Sequence, residues 1–440
     1  MIKYEKYKDS GYHWLGEIPN EWEIRRIKDF TYVKGRIGWQ GLRSDDFLDY
    51  SEWHCVTGTD FKNGRINWKN CYYVDESRFL QDTKIQLEKL DLLITKDGTI
   101  GKIALINSLP KKATLNSGVF LTRPLKNKYN NEFMFWLLSS STFKSFIDYN
   151  KNGSTILHLY QNVFERFFYC LPSLKEQTAI AYYLDKKTNG IDRKIDLLTK
   201  KITTYKELRK SLINQTITKG LDKNVTLKDT DIEWIGEIPV HWVVKRIKEL
   251  ATKIKTGTTP SSKDGDYFNK GTENWYTPVD IKNNVINSSS RKVLKKAFSD
   301  NQISLFKKNS IYLIGIGGTL GNVAISSVEA SCNQQINVIS FNEKLIFPKY
   351  SFYQMTIIGS TLLNWCNYTT MPIFTQTAAK QLELATPPLE EQTAIANYLD
   401  EKTSKIDAVV RNIESQTNTL KELRKTLIND VVTGKIKVVN

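Results

Sequence analysis

The chain is short of cysteine, histidine and long apolar runs, and each shortage removes a class of function. Five cysteines, Cys55, Cys71, Cys170, Cys332 and Cys366, are scattered over 440 residues. None forms a C-x-x-C pair, which argues against a zinc site, and an odd, scattered set suits a reducing cytosol better than a disulfide framework. The four histidines, His13, His54, His158 and His241, have no metal-like or triad-like neighbours in sequence. His54 adjoins Cys55, but adjacent residues of a strand face opposite ways. No run approaches the ~18 apolar residues of a membrane span. The segment Met1-Ile2-Lys3-Tyr4-Glu5-Lys6 lacks an apolar core, so no signal peptide is expected and a cytoplasmic location is. Phosphate loops, cofactor fingerprints and well-spaced nuclease carboxylates are also missing. The expectation is a non-catalytic chain with no metal or cofactor of its own.

What the chain has in plenty is positive charge: 63 Lys and Arg against 47 Asp and Glu, a net +16. That balance favours a polyanionic partner, most often nucleic acid and sometimes an acidic membrane surface, although a Lys-rich soluble protein can show it too. With 40% apolar and 11% aromatic residues there is material for packed cores. The length suits roughly two to four domains.

The chain also repeats itself. Residues 14–30, WLGEIPNEWEIRRIKDF, match 234–250, WIGEIPVHWVVKRIKEL, at an offset of 220. Residues 174–185, LKEQTAIAYYLD, match 389–400, LEEQTAIANYLD, at an offset of 215, which also pairs ELRKSLIN at 207–214 with ELRKTLIN at 422–429. Between these blocks the halves diverge and keep only islands. Asp60–Asn67 aligns with Asp280–Asn287, and Gly98-Thr99-Ile100-Gly101 with Gly318-Thr319-Leu320-Gly321. Each half is therefore a variable globular head followed by a near-constant element.

The constant elements read as long helices. Pro172 and Pro387 end what precedes them, and a heptad seam follows. Leu184, Ile191, Leu198, Tyr205 and Leu212 lie seven apart with Ile195 and Ile202 between; Leu399, Ile406, Ile413, Leu420 and Leu427 repeat the pattern with Val410. Thr188, Arg209, Thr403, Thr417 and Arg424 interrupt it, and Gly220 and Gly434 fit the helix ends. A helix of about 40 residues is roughly 60 Å long and cannot bury such a seam alone. The simplest partner is the other copy, in an antiparallel coiled coil relating the halves by a pseudo-twofold axis. The alternative is two helices, each packed on its own head. The expected division is a first head at 1–170, a helix at 171–220, a second head at 221–385 and a helix at 386–440.

The heads mix short apolar runs with turn signals: Leu90–Ile94, Lys102–Ile106 and Gly118–Leu121 in the first, Ser310–Ile314, Asn322–Ile325 and Ile336–Phe341 in the second. Helical patterns follow at 131–147 and 349–365. The fold class is α+β, with two mixed α/β domains around twisted sheets. Candidate DNA-contacting residues lie in polar, glycine-bearing loops, where backbone can approach phosphate, Lys or Arg can neutralise it, and Arg, Gln, Asn or Thr can read base edges. In the first head they are Lys34, Arg36, Gln40 and Arg43, then Lys96, Thr99 and Lys102, then Asn116. In the second they are Lys255, Thr258, Thr259, Ser261 and Lys263, then Thr319, then Asn333, Gln334 and Gln335. Solvated turns explain the first loops equally simply, and buried turn-fixing explains the Asn and Gln residues. The glycine islands fit neither nucleotide motif: Leu320 stands where G-x-G-x-x-G needs Gly, and Lys96 and Ile103 break the phosphate-loop pattern.

On these blocks the chain resembles the specificity subunits of type I restriction–modification enzymes. Trp14–Pro19 with Trp22, and Trp234–Pro239 with Trp242, resemble the segment that opens each target-recognition domain of that family. Gly35–Leu42 and Thr256–Pro260 resemble two variants of the loop that follows. The G-T-[IL]-G turns match, and Pro172–Gln177 and Pro387–Gln392 resemble the P-P-L-x-E-Q start of the long helices, with a departure at Ser173. The resemblance implies two target-recognition domains that each read half of a split, asymmetric double-stranded DNA site, with the paired helices as a ruler. It implies docking of two methyltransferase (modification) subunits that methylate adenine and two motor–nuclease (restriction) subunits. S-adenosylmethionine, ATP and Mg would then reside on those partners, and the complex would be an adenine methyltransferase and ATP-dependent endonuclease. The reader of a methylation-only system, a coiled-coil adaptor and a phosphate-binding enzyme are the competing readings.

Overall fold

The computed structural model describes residues 2–37, 41–150, 158–261, 266–362 and 372–438. It divides into two compact units, Met1–Thr199 with Ser415–Asn440, and Lys200–Glu414. These boundaries cut across the expected helix segments. Each unit takes one half of each long helix, because a helix with an apolar seam completes its burial only against a second one.

In the first unit a four-stranded antiparallel sheet runs in the order Ile103–Leu105, Leu92–Thr95, Val119–Pro124, Thr31–Gly35. A three-stranded sheet, Lys112–Leu115, Trp53–Val56, Tyr72–Val74, stands beside it with one parallel and one antiparallel pairing. Leu92, Leu93 and Ile94 are fully buried, as a strand covered on both faces requires. The second unit repeats the plan. Its larger sheet runs Ala251–Thr256, Ile336–Phe341, Ile311–Ile314, Val323–Ser326, then adds Asn284–Ile286 in parallel as a fifth strand. Its smaller sheet is Arg291–Val293, Glu273–Tyr276, Ser331–Cys332. The helical pattern expected at 131–147 is two helices, Asn131–Leu138 and Ser141–Asn150, because the Ser140 hydroxyl donates to the Leu137 carbonyl and closes the first. The helix expected at 349–365 is Pro348–Gly359, and residues 363–365 of the expected span lie outside the described residues.

The long helices are Leu174–Lys219 and Leu389–Val432. Ile180, Ala181 and Leu184 of the first helix enter the first unit's core together with Leu427, Ile428, Val431 and Val432 of the second. Ile395, Ala396 and Leu399 share the second unit's core with Ile213 and Ile217. Each head is thus packed against its own helix and the end of the other. Within the second unit the segments run antiparallel: Arg209 pairs with Asp407 at 3.0 Å and Lys206 with Glu414 at 3.9 Å. The equivalent pair in the first unit is Arg424 with Asp192 at 2.8 Å. The two arginines that interrupt the heptad pattern are therefore cross-helix ion pairs. Thr188 and Thr403 sit buried in the seam because each hydroxyl donates to the carbonyl four residues back, of Leu184 and Leu399. Leu184, Leu399, Val410, Ile413 and Leu427 are buried; Ile191, Ile195, Leu198, Ile202, Tyr205, Leu212, Ile406 and Leu420 are half-buried.

The repeated motifs form an internal lock. Trp22 and Trp242 are buried, and their indole N–H groups donate to Glu176 and Glu391 at 3.1 and 2.9 Å. Gln177 and Gln392, both fully buried, each make three hydrogen bonds to backbone around the helix start. Trp14 is held as well, its indole donating to the Phe168 carbonyl. Gly220 and Gly434 are left-handed at φ +73 and +75, and pack against Trp242 and Trp22 respectively.

Candidate nucleic-acid interface

Strand register decides which loops share an end of each head. In the first head Gly35 lies opposite Phe120, and Thr95 opposite Val119. The loop after Gly35, the turn after Thr95 and the segment before Val119 therefore leave the same end of the sheet. In the second head Thr256 lies opposite Asn337, and Ile314 opposite Ile336, with the same result for the loop after Thr256, the turn after Ile314 and Asn333–Gln335. Three stretches far apart in sequence converge in each head.

The second head's cluster is tightly knit. Gly257 cannot be another residue without strain: a Cβ there would lie 2.4 Å from the carbonyl oxygens of Cys332 and Asn333. Beyond it the Thr258 hydroxyl donates to the Gln302 carbonyl at 3.2 Å, Thr259 to the Gln334 side chain at 2.6 Å, and the Ser261 N–H to the Gln302 side chain at 3.3 Å. Lys255 Nζ donates to Ser304 Oγ at 2.7 Å. Gln334 is exposed, whereas Asn333 is buried and bonds the Gln335 side chain, which makes Asn333 a turn-fixing residue rather than a surface contact. Thr319 stands on an exposed tip. Lys263 lies outside the described residues. Gln302 and Ser304 join this cluster although no repeat island marks them; only the fold brings them in.

The first head differs in detail. Arg36 is 2% exposed and cannot reach DNA, which corrects the expectation from sequence. Its guanidinium donates to the carbonyl of Leu115 at 2.8 Å, the side chains of Gln81 and Thr114 at 3.1 and 3.2 Å, and the carbonyl of Arg78 at 3.5 Å. It therefore braces the loop base against the neighbouring strand, and burial lowers its basicity. Arg43 is exposed, and its backbone N–H donates to Asp46 at 2.7 Å. Lys34 is half-buried, 3.9 Å from Asp82. Lys96 lies over the Phe120 ring at 5.2 Å, Thr99 and Lys102 are exposed, and the half-buried Asn116 side chain accepts from the Ser117 N–H at 2.6 Å. Gln40 lies outside the described residues. His158 and Tyr160 adjoin the same turn, His158 contacting Asp97 and stacking edge-on with Tyr160 at 4.7 Å. Sequence alone gave no signal for that contact, which spans 61 positions.

Among the described residues no cluster of three His, Cys, Asp or Glu is placed to hold a metal ion, and no helix is long and apolar enough to cross a membrane. Cys55, Cys71, Cys170 and Cys332 are buried free thiols, and burial pushes Cys55 and Cys170 up to about 12. Cys366 lies outside the described residues.

Residues 19–204 and 239–418 match the family described as the type I restriction modification DNA specificity domain. The type I restriction enzyme MjaVIII specificity subunit of Methanocaldococcus jannaschii is 25% identical over 459 residues, covering 100% of this chain and 98% of the relative. The EcoR124I/EcoR124II specificity subunit of Escherichia coli is 24% identical over 246 residues, 55% of this chain and 54% of that one. The fold agrees with the HsdS subunit from Thermoanaerobacter tengcongensis at a TM-score of 0.54 and 14% identity, covering 97% and 99% of the two chains. It agrees more closely, at 0.72 and 15% identity over 95% and 99%, with a chain solved in an account of complex assembly and conformational transition of the type I R-M system. With one matched segment in each half of the chain and the tandem fold shared over 95% of it, the protein belongs to the type I restriction–modification specificity subunits, the non-catalytic DNA-recognition components of those systems.

Proposed function

We propose that the two heads read the two unlike halves of a split, asymmetric double-stranded DNA site. The observation that carries this reading is the convergence of three polar loops at one end of each sheet, on the same frame but with different side chains. Arg43, Lys96, Thr99, Lys102 and Asn116 contribute in the first head; Lys255, Thr258, Thr259, Ser261, Thr319, Gln334 and Gln335 contribute in the second. Lysines and Arg43 neutralise phosphate while amides and hydroxyls meet base edges. Unlike loops on a shared frame imply unlike half-sites, in contrast with the palindromes of homodimeric readers.

The near-identical helix blocks support docking of two copies of one partner, a methyltransferase subunit, because a repeated surface suits a repeated partner. Exposed Leu208 and Leu423, at matching places in ELRK[ST]L, are candidate contacts. The partner would bring S-adenosylmethionine and methylate a flipped adenine; motor–nuclease subunits with ATP and Mg would complete the restriction form in the cytoplasm. The test is methylome sequencing of a methylation-free host that expresses this chain with the methyltransferase encoded beside it. A split, asymmetric adenine motif with a fixed spacer is expected, and exchanging residues 31–170 for another head should change one half only. An assembled complex that methylates nothing would refute the reading.

A further inference from the structure

The smaller sheet of each head carries one exposed planar group at the same register position. In the second head Arg291 lies opposite Trp275, and in the first Tyr72 lies opposite Cys55; positions 55 and 275 differ by the repeat offset of 220. The Arg291 guanidinium lies 4.3 Å from the ring centre of Phe268 and 5.3 Å from that of Trp275. Tyr72, 50% exposed, packs at a tilt against Phe47 with the ring centres 4.7 Å apart. Both sites adjoin the candidate interface. The Trp275 indole donates to the Thr258 carbonyl at 3.0 Å, and Phe47 belongs to the loop that runs on from Arg43, tied down by Leu48 to Tyr73.

Among the described residues the Arg291 guanidinium forms no ion pair, although the chain holds 47 acidic residues. Among the described residues of the polar cluster beside it, Thr258, Thr259, Ser261, Gln302 and Gln334 are neutral, and Lys255 donates to Ser304. A guanidinium held against two aromatic rings has already given up much of its rotamer freedom, so less is lost when it binds an anion. Exposed Lys292 follows it. Resting on the proposed function, the geometry points to Arg291 as a backbone-phosphate contact of the second head, a cation on the sheet beside the hydroxyls and amides of the base-reading loop. Tyr72 is its uncharged counterpart in the first head, where Arg43, Lys96 and Lys102 supply the charge.

The test is salt-dependent binding of the full chain, assembled with its methyltransferase, to two duplexes: one bearing the methylated motif and one of mixed sequence. Each phosphate contact contributes about 0.9 to the slope of log K against log salt. Arg291→Gln should lower the slope by about one on both duplexes, so the loss of affinity from about 50 to about 200 mM salt shrinks roughly threefold. Arg291→Lys, which keeps the charge, should hold the slope, and the methylated motif should be unchanged in both variants. An unaltered slope in Arg291→Gln overturns the phosphate assignment alone. A changed base preference overturns it in favour of base reading, and equal loss in Arg291→Lys makes the residue a structural prop. Wild-type protein that binds neither duplex would remove the proposed function along with it.

Discussion

Replacing Gln392 with Met removes polarity from the helix start with little change in volume, so the cost measures the hydrogen-bond lock rather than a cavity. The Gln392 amide oxygen accepts from the Phe347 N–H at 2.7 Å, and its amide nitrogen donates to the carbonyls of Pro387 and Leu345 at 2.8 and 3.3 Å. A net value of about 1 kcal/mol for each bond, with Phe347 N–H left short of a partner, gives a loss of about 3–4 kcal/mol. At an m-value of about 2 kcal/mol/M the urea midpoint of the second unit should fall by roughly 1.5–2 M. Gln177→Met acts on the same triad in the first unit, through Asn130, Pro172 and Lys128, and should cost about as much. The two sites lie in different compact units and share no partner, so their effects should add within about 0.5 kcal/mol. Urea unfolding followed by circular dichroism and tryptophan fluorescence reads all three proteins. A cost below about 1 kcal/mol in both single variants would refute the view that the E-Q motif is there to seat the helix.

The other predictions test single contacts. Gly321→Ala would place a Cβ 2.0 Å from the Gly359 carbonyl oxygen at a φ of +88, and should destabilise the second unit by more than about 4 kcal/mol. Gly318→Ala, with nothing within 4 Å, should stay within about 1 kcal/mol in the same melting assay. Arg36→Met should cost the first unit about 2 kcal/mol by stripping buried acceptors of their donor, yet leave the salt slope of DNA binding unchanged; a slope lowered by about one would return Arg36 to the interface. Burial first, and Lys111 second, hold His54 below the ordinary histidine value. Because its folded pKa lies below its unfolded one, its contribution to stability is full above about pH 6.5 and is lost as pH falls from there towards the lowered value. His54→Gln should therefore narrow the stability difference between about pH 7.5 and about pH 5.5, and an unchanged difference would argue against the buried neutral imidazole. In native protein the buried thiols Cys55, Cys71, Cys170 and Cys332 should react with a thiol reagent only on unfolding; rapid labelling of Cys55 or Cys170 would contradict their elevated pKa values.

Several features were legible before folding because they rest on local or periodic chemistry. The repeat offsets, the heptad seam, the glycines after the helices and the buried apolar strands all follow from short-range rules about periodicity, capping and burial. Arg36 was misjudged because an arginine in a polar, glycine-flanked loop looks like a phosphate ligand; its burial depends on Leu115 and Thr114, nearly eighty residues away. The arginines at 209 and 424 looked like faults in the seam because their aspartate partners belong to the other helix.

The sequence by itself determined that there are two unlike heads, two like helices and a basic balance of charge, since identity, period and composition need no coordinates. Only the tertiary structure decided which loops stand together, that each compact unit borrows half of each helix, and that Arg291 lies against Phe268 and Trp275. Those facts depend on strand register and on which apolar face finds which partner. Both are settled by burying surface between residues that the chain holds far apart.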